Sequence, residues 1–425
     1  MLGCENTVIE GVDWHDENTR GGAGERQLTV TVHVRPRKRL ASRCGVCGKR
    51  RPGYDAGGGR RRWRALDLGT VRAELEAAAP RVACPEHGVV VAAVPWARHG
   101  AAHTRFSGDQ VAWLAAACSK TTITQLMRIS WRTVGTIIAR VSGEAEAATD
   151  RLAGLRRIGM DEISYKRGHK YLVIVVNHDT GLLIWAAPGR EASTVHAFSG
   201  QLGAERCRLL TRLSADGADW ISGPTAARAP QAVLCADPFY AEVRATGALD
   251  EVRREVWRTA RHAGAITAVR HGSRTIRVSS GGARDLARAR YALWKNPENL
   301  TGRQEAKLAW IEKTHPLWGA YLLREGLRVV FQLKGEEGKY ALARWLSRAA
   351  RCRIPEFTEL GKKIRRHLPS IHATLDHGLS NGLIESVNTK IRVITRMAFG
   401  FHNAAALIGL AKLALGGLRP ALPGR

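Results

Sequence analysis

Cys44 and Cys47 stand in "CGVCGKR", and 37 residues after Cys47 the stretch "CPEHG" repeats the spacing with Cys84 and His87. Each pair can close a tight knuckle, and two knuckles supply four thiolate or imidazole donors, the ligand set of tetrahedral zinc. Four protein ligands leave no open position, so a single Zn²⁺ held this way is structural. Two unrelated pairs in a reducing compartment are the plainer alternative. A different chemistry is offered by "NGLIESVNTKIR" at 381–392. Glu385, Asn388, Arg392 and Arg396 are spaced 3, 4 and 4 apart and share one helical face. Ile384, Val387, Ile391, Ile394 and Ala398 form an apolar face beside it. A first-turn glutamate also suits the helix dipole, with Asn381 as N-cap. That simpler explanation stands unless other acids join Glu385.

The chain between 151 and 240 supplies them. "RRIGMDEISY" and "KYLVIVVNHD" are apolar strands separated by "KRGH", and "GLLIWAAPG" is a third. "STVHAFSGQLGA" has a helical pattern, and "RCRLLTRLSADGADW" gives a fourth strand and then a turn. The order β-β-β-α-β is that of an RNase H-like core. In that fold one carboxylate sits on the first strand and another just past the fourth. Those positions hold Asp161 and Asp216, 55 residues apart in sequence. Carboxylates brought together are costly unless cations join them. Mg²⁺ (or Mn²⁺) takes oxygen ligands, and two such ions about 4 Å apart can activate a nucleophile and stabilise a leaving oxygen at phosphorus. Glu385 is the natural third acid. Asp237, after a further strand "QAVLCAD", is the alternative second ligand. Asp219 and Glu162 are less well placed, since Glu162 points away from Asp161 on a strand.

Composition agrees with a phosphate-rich partner. Lys and Arg number 66 against 38 Asp and Glu, a formal net charge of +28 over 425 residues. Such an excess points to a polyanion, most plausibly nucleic acid, although ribosomal and membrane-surface proteins are as basic. Aromatic residues are 6% of the chain, so base stacking is not the obvious theme. The first twenty residues lack the pattern of a signal peptide, and no run of about eighteen apolar residues spans a membrane. "AAALIGLAKLALGGL" is short and broken by Lys412. Eight cysteines in a chain this long are no disulfide framework. A cytoplasmic, nucleoid-associated protein is expected.

Around the first knuckle, 35–64 holds twelve Lys and Arg and one acid, Asp55. Arg61, Arg62 and Arg64 belong to this run and are expected to meet phosphate. "WRALDLGTVRAELEAAAPRVAC" predicts one or two strands that return the chain to the second knuckle. Farther on, Thr122 to Met127, "RIS" and Trp131 to Val141 are spaced as a helix-turn-helix. Val134, Ile137, Ile138 and Val141 lie inward, leaving Arg132, Thr133 and Thr136 for a major groove. An ordinary helical hairpin has the same spacing.

"IGMDE", "LSADGADW", "ADPFYAEV", "KNPENLT" and "NGLIESVNTKIRVITRMAFGFHN" together resemble a bacterial insertion-sequence DDE transposase of the IS-L-three group. The resemblance runs from the zinc knuckle to the last long helix, and its final motif is the most specific. It implies Asp161, Asp216 and Glu385 as a metal-binding triad, two Mg²⁺ ions, and a helical insertion between the second and third acids. It also implies double-stranded DNA as partner, at transposon ends and target, and at least a dimer on DNA, because two ends must be paired. Asn388, Arg392 and Arg396, on the face of Glu385, are then placed to hold the DNA strand beside it. One position departs: Tyr240 stands where relatives usually carry histidine, which touches the roles of Asp237 and Tyr240.

The expected fold class is therefore α/β. The domains expected are a zinc-binding module over 1–100, a helix-turn-helix over 101–150, an RNase H-like core over 151–240, an α-helical insertion over 241–375, and C-terminal core helices over 376–425. Trp257, Trp294, Trp310, Trp318 and Trp345 in the insertion are expected in its core rather than stacked on unpaired bases. The run "KKIRRH" is a solvated helix face that can also track a strand. The expected activity is binding of terminal inverted repeats with metal-dependent strand cleavage and transfer. A domesticated DNA-binding protein and a nuclease on the same core are the alternatives.

Overall fold

The computed structural model describes residues 5–18, 26–215, 218–262, 266–271, 274–279, 286–314 and 317–422. The chain forms two compact units, Met1–Arg151 with Val393–Arg425, and Leu152–Arg392.

The first unit opens with strands β1 (Thr7–Asn18) and β2 (Arg26–Pro36), followed by β3 (Gly53–Asp55), β4 (Arg60–Arg64), β5 (Arg72–Ala78), β6 (Arg81–Cys84) and β7 (Gly88–Val91). One sheet has the order β1-β2-β5-β4 and a smaller one β3-β6-β7. Val30, Val32 and Val34 alternate along β2 and join Trp63, Leu75 and Trp96 in a buried core. Trp63 and Trp96 meet edge to face at 5.5 Å. The one or two strands expected over 63–84 correspond to β5 and β6, with the end of β4, whereas β1, β2 and β3 had no counterpart in the sequence reading. Helices α1 (Arg105–Ala115), α2 (Lys120–Met127) and α3 (Trp131–Ala147) come next. Thr104, Ser119 and Ser130 cap them, each side chain accepting a hydrogen bond from an N–H in the first turn. The last helix, Ala404–Leu415, packs on α3. Its Lys412, 8% exposed, pairs with Glu146.

The second unit begins with β8 (Arg157–Lys166), β9 (Lys170–Asn177), β10 (Leu183–Pro188), α4 (Ala192–Leu202), α5 (Ala204–Cys207), β11 (Arg212–Ala215), α6 (Asp219–Arg228) and β12 (Val233–Ala236). The sheet order is β10-β9-β8-β11-β12. β10, β9 and β8 pair antiparallel, while β11 pairs parallel with β8 and β12. This is the RNase H-like arrangement. Leu172 to Val176 of β9 are all buried, as an unbroken apolar run in a covered sheet demands. The turn expected after the fourth strand falls at Asp216 and Gly217, outside the described residues, and α6 follows from Asp219.

Beyond β12 come α7 (Pro238–His262), β13 (Ile266–His271), β14 (Arg274–Ser279), α8 (Arg290–Trp294), α9 (Gly302–Thr314), α10 (Leu317–Gln332), α11 (Gly335–Arg351), α12 (Pro355–Arg366), α13 (Leu368–His377) and α14 (Gly382–Met397). The β13–β14 hairpin interrupts what was expected to be purely helical. Trp345 is buried in the helical core, and Trp257, Trp294, Trp310 and Trp318 pack partly buried against it, as expected. Among the described residues, no helix is long and apolar enough to cross a membrane.

Candidate functional site

The acids of the second unit converge where α14 meets the sheet. Asp161 lies in the middle of β8, and its Oδ2 accepts a hydrogen bond from Asn388 Nδ2 of α14 at 2.8 Å. Its Oδ1 accepts from the Glu162 backbone N–H. The approach depends on Gly159, two residues earlier and on the same face of β8. A Cβ there stands 2.2 Å from Ile384 Cδ1 and 2.8 Å from His178 Nε2. Ile384 is fully buried, so the helix cannot yield cheaply. Gly159→Ala is therefore expected to push α14 off β8 and cut cleavage roughly a hundredfold, the cost of about 1 Å of misplacement. Gel-shift affinity for the end sequence should stay unchanged, and adding Ile384→Val, which removes the clashing methyl, should recover part of the rate.

Asp237 follows β12 directly and is 8% exposed. Its Oδ1 accepts from the Phe239 N–H at the start of α7 and from the Asn381 N–H just ahead of α14. One carboxylate thus ties two helix starts. Thr374 Oγ1 donates to the Ala236 carbonyl at 2.6 Å and secures α13 to the same strand. Glu385 sits one turn into α14. Burial pushes its carboxyl above the usual value and the nearby Asp237 adds to this, while Arg392 opposes both. Beside Gly159, His178 Nε2, just past β9, and Ser214 Oγ of β11 are hydrogen-bonded at 2.8 Å. Burial holds this histidine below its usual pKa.

These residues fit divalent cations. Asp161, Asp237 and Glu385 offer hard oxygen donors, and the buried amide oxygens of Asn381 and Asn388 have no hydrogen-bond partner. A carboxylate whose charge raises the pKa of its neighbour, as Asp237 does for Glu385, is an arrangement that a cation relieves.

The other metal centre lies in the first unit. The donor atoms of Cys44, Cys47, Cys84 and His87 all lie within 4.8 Å of one another. Cys47 Sγ is 3.9 Å from Cys84 Sγ, and His87 Nδ1 is 3.5 Å from Cys84 Sγ and 3.8 Å from Cys44 Sγ. Zinc bonds of about 2.0–2.3 Å at tetrahedral angles give donor separations of about 3.5–3.8 Å. The set fits zinc, with His87 binding through Nδ1. Burial raises the Cys44 thiol, whereas at Cys84 burial is outweighed by hydrogen bonds from His87 and nearby backbone N–H groups, bringing it to about 6. Arg51 lies against the Cys84 sulfur and offsets thiolate charge.

Comparison with known proteins places this geometry. Residues 158–410 match the family model described as the transposase domain of ISL3 elements. The chain belongs to the ISL3 family of transposases. Residues 41–87 match the zinc finger of transposases IS204/IS1001/IS1096/IS1165, and 92–142 match the helix-turn-helix domain of transposase family ISL3. The transposase for insertion sequence element IS1557 of Mycobacterium tuberculosis is 56% identical over 433 aligned positions, spanning 100% of this chain and 96% of that protein. The transposase for insertion sequence element IS1001 of Bordetella parapertussis is 23% identical over 406 positions, spanning 94% of this chain and 93% of the other.

This transposase is thus a DNA-binding, DNA-cleaving and DNA-transferring enzyme with a structural zinc. Its helix-turn-helix is α2, a three-residue turn and α3, both helices longer than the sequence spacing gave. Arg128 in the turn adopts φ +52° and is tied to Asp67 and the Thr70 carbonyl. Arg132 and Thr136 are exposed on α3. The Thr133 hydroxyl is engaged by Ser130 at 2.8 Å within the cap.

Several expected site residues take other places. Asp216 falls outside the described residues, although β11 ends beside it at Ala215. Asn388, expected on the DNA strand, is 3% exposed and holds Asp161 instead. Arg64, expected on phosphate, is 8% exposed and paired with Asp67 at 2.6 Å, so it is corrected to a structural residue. Arg62 is engaged by Glu76 at 2.7 Å, and Arg61 donates to the Ala101 carbonyl. Arg392 and Arg396 are exposed on α14, as expected. Glu162 faces away from Asp161 and pairs with Arg190 at 2.9 Å. His178 and Ser214 escaped the sequence reading, and Asn381 entered it only as an N-cap. The only signal was a polar residue at each end of an apolar run.

Proposed function

We propose that this transposase cuts DNA at the terminal inverted repeats of its element and joins the freed ends to target DNA by DDE chemistry, with Asp161, Asp216 and Glu385 as the acids. The observation that carries the reading is α14, whose Asn388 binds Asp161 of the central strand β8 and whose half-buried, pKa-raised Glu385 lies one turn earlier. These acids would hold two Mg²⁺ or Mn²⁺ ions. When bound, the ions supply nucleophile activation and leaving-oxygen stabilisation at phosphorus. The chain's own residues do the rest. Asn388 orients the Asp161 carboxylate, Asp237 fixes the start of the helix that carries Glu385, and Arg392 lies exposed for phosphate.

In this reading, residues 1–100 and 101–150 recognise the ends, with Arg61, Arg62, Arg132, Thr133 and Thr136 toward DNA. The segments 151–240 and 376–425 carry the acids, and 241–375 is the insertion. The enzyme acts in the cytoplasm on the nucleoid and pairs two ends as at least a dimer. Purified full-length protein incubated with labelled end duplex and Mg²⁺ should yield nicked strands at the element boundary and longer joined products on a denaturing gel. Cleavage without joined product defines a nuclease, and end binding without cleavage defines a DNA-binding protein; either outcome overturns the proposal.

A further inference from the structure

A groove of about 1190 Å³ opens in the helical part of the second unit, between α10, α11 and the loop into α12. Trp318, Leu322 and Val329 give it an apolar surface, and Trp318 stacks on Tyr321 at 5.2 Å. Four arginines line it, Arg344, Arg348, Arg351 and Arg353, against one acid, Glu312. Arg344, Arg348 and Arg351 are spaced 4 and 3 along α11 and share one exposed face. Among the described residues, none of the four forms an ion pair. Other cations nearby do: Lys339 on α11 pairs with Glu336 and Asp376, and Arg328 on α10 with Glu298 and Glu325. The uncompensated charge is concentrated on the groove.

Arg353 adds an independent sign. It adopts φ +57°, just past the C-cap of α11 at Cys352, where glycine is the usual residue because a Cβ is strained there. The chain accepts that strain and places a guanidinium at the groove, and strain of this kind gathers at binding sites.

We propose that this groove holds one unpaired strand of DNA, with phosphates on the arginines and bases against the apolar surface. The helical rise spreads Arg344 to Arg351 over about 10 Å, the axial length of roughly three phosphates of one strand at about 3.4 Å each. A duplex keeps its base faces stacked inside and has no use for the apolar surface, whereas an unpaired strand gains from it. The inference rests on the reading of the chain as a transposase, whose cutting leaves strand ends to be held, but it does not depend on which acids cut.

The test is fluorescence anisotropy on the full-length protein, with a labelled twelve-nucleotide oligothymidylate and a labelled end duplex, across a salt titration. Arg344→Gln/Arg348→Gln/Arg351→Gln should weaken oligothymidylate binding at least tenfold. It should also reduce the slope of log affinity against log salt by about 2, at about 0.7 for each phosphate no longer neutralised. Duplex end binding should stay within twofold. Arg353→Gly relieves the left-handed strain, so its melting temperature should hold or rise while oligothymidylate affinity falls, which separates binding from folding. Unchanged oligothymidylate affinity in either variant overturns the inference. So does an equal loss on duplex, which makes the groove a duplex contact, or equal competition by polyglutamate, which makes it a general polyanion surface. If arginine-dependent binding appears but the protein never cleaves, the catalytic reading fails and this one stands.

Discussion

Glu385→Gln and Asp161→Asn should each abolish strand cleavage while end binding stays within twofold. Each amide keeps the shape of the side chain and removes the charge that holds a divalent cation. Loss of several kcal/mol of transition-state stabilisation, taken as about 4, is a fall of roughly a thousandfold. The two sites give different secondary effects. Glu385 is held above its usual pKa by burial and by Asp237, so an uncharged glutamine removes a repulsion and should leave the fold as stable or slightly more so. Asp161 accepts from Asn388 Nδ2 and from the Glu162 N–H, so asparagine there sets amide against amide unless one turns over. Asn388→Ala keeps the Asp161 charge and removes only its orientation, and a partial loss of rate is expected.

The same single-turnover gel decides the second acid. Asp216→Asn should match the other two. Asp237→Asn keeps an oxygen that can accept from Phe239 and Asn381, so both helix starts stay tied and the loss should be milder. If Asp216→Asn cleaves and Asp237→Asn does not, the second ligand is Asp237. If Glu385→Gln cleaves normally, that residue is a helix-start glutamate and nothing more.

The parts legible in the sequence were those set by short-range spacing. The two knuckles, the helix-turn-helix and the apolar runs of β8, β9 and β10 each declare themselves within about twenty residues. The face shared by Glu385 and Asn388 is equally local. What sequence could not give is which residue a face meets. Asn388 lies 227 residues from Asp161, and Asp237 lies 144 from Asn381. On a helical wheel Asn388 aligns with Arg392, so it was grouped with the DNA contacts, yet only the fold turns it inward. Arg64 misled for the same reason. A run of arginines looks uniformly solvated, but it follows Trp63, buried on β4, and three residues on stands Asp67. β2 pairs parallel with β5 across more than forty residues, a pairing with no local turn to announce it. The β13–β14 hairpin was missed because a short strand pair inside a helical stretch has little periodicity of its own.

Cys44→Ser should leave the first unit unfolded and abolish end binding, while the RNase H-like core retains its fold. Structural zinc contributes on the order of 10 kcal/mol in small modules, comparable to the whole stability of about 5–15 kcal/mol of a typical domain. Little else replaces it here. Among the described residues, the buried core around the site is Cys44, Val82, Cys84 and Ala92, and the three strands of the small sheet beside it, β3, β6 and β7, are four residues or shorter. The loss should reach the DNA-reading helices, because Arg128 of the turn is anchored on Asp67 and Thr70, in the loop between β4 and β5. Elemental analysis should find one zinc per wild-type chain and none in Cys44→Ser. Limited proteolysis should then cut the variant within 1–151 and 393–425 and spare 152–392. His87→Cys is the conservative counterpart. A fourth thiolate can replace an imidazole bound through Nδ1, so zinc, protease resistance and end binding should all return. Folded, end-binding wild-type protein without zinc would refute the assignment. A Cys44→Ser variant that still binds ends would show that the knuckles do not support the reading helices.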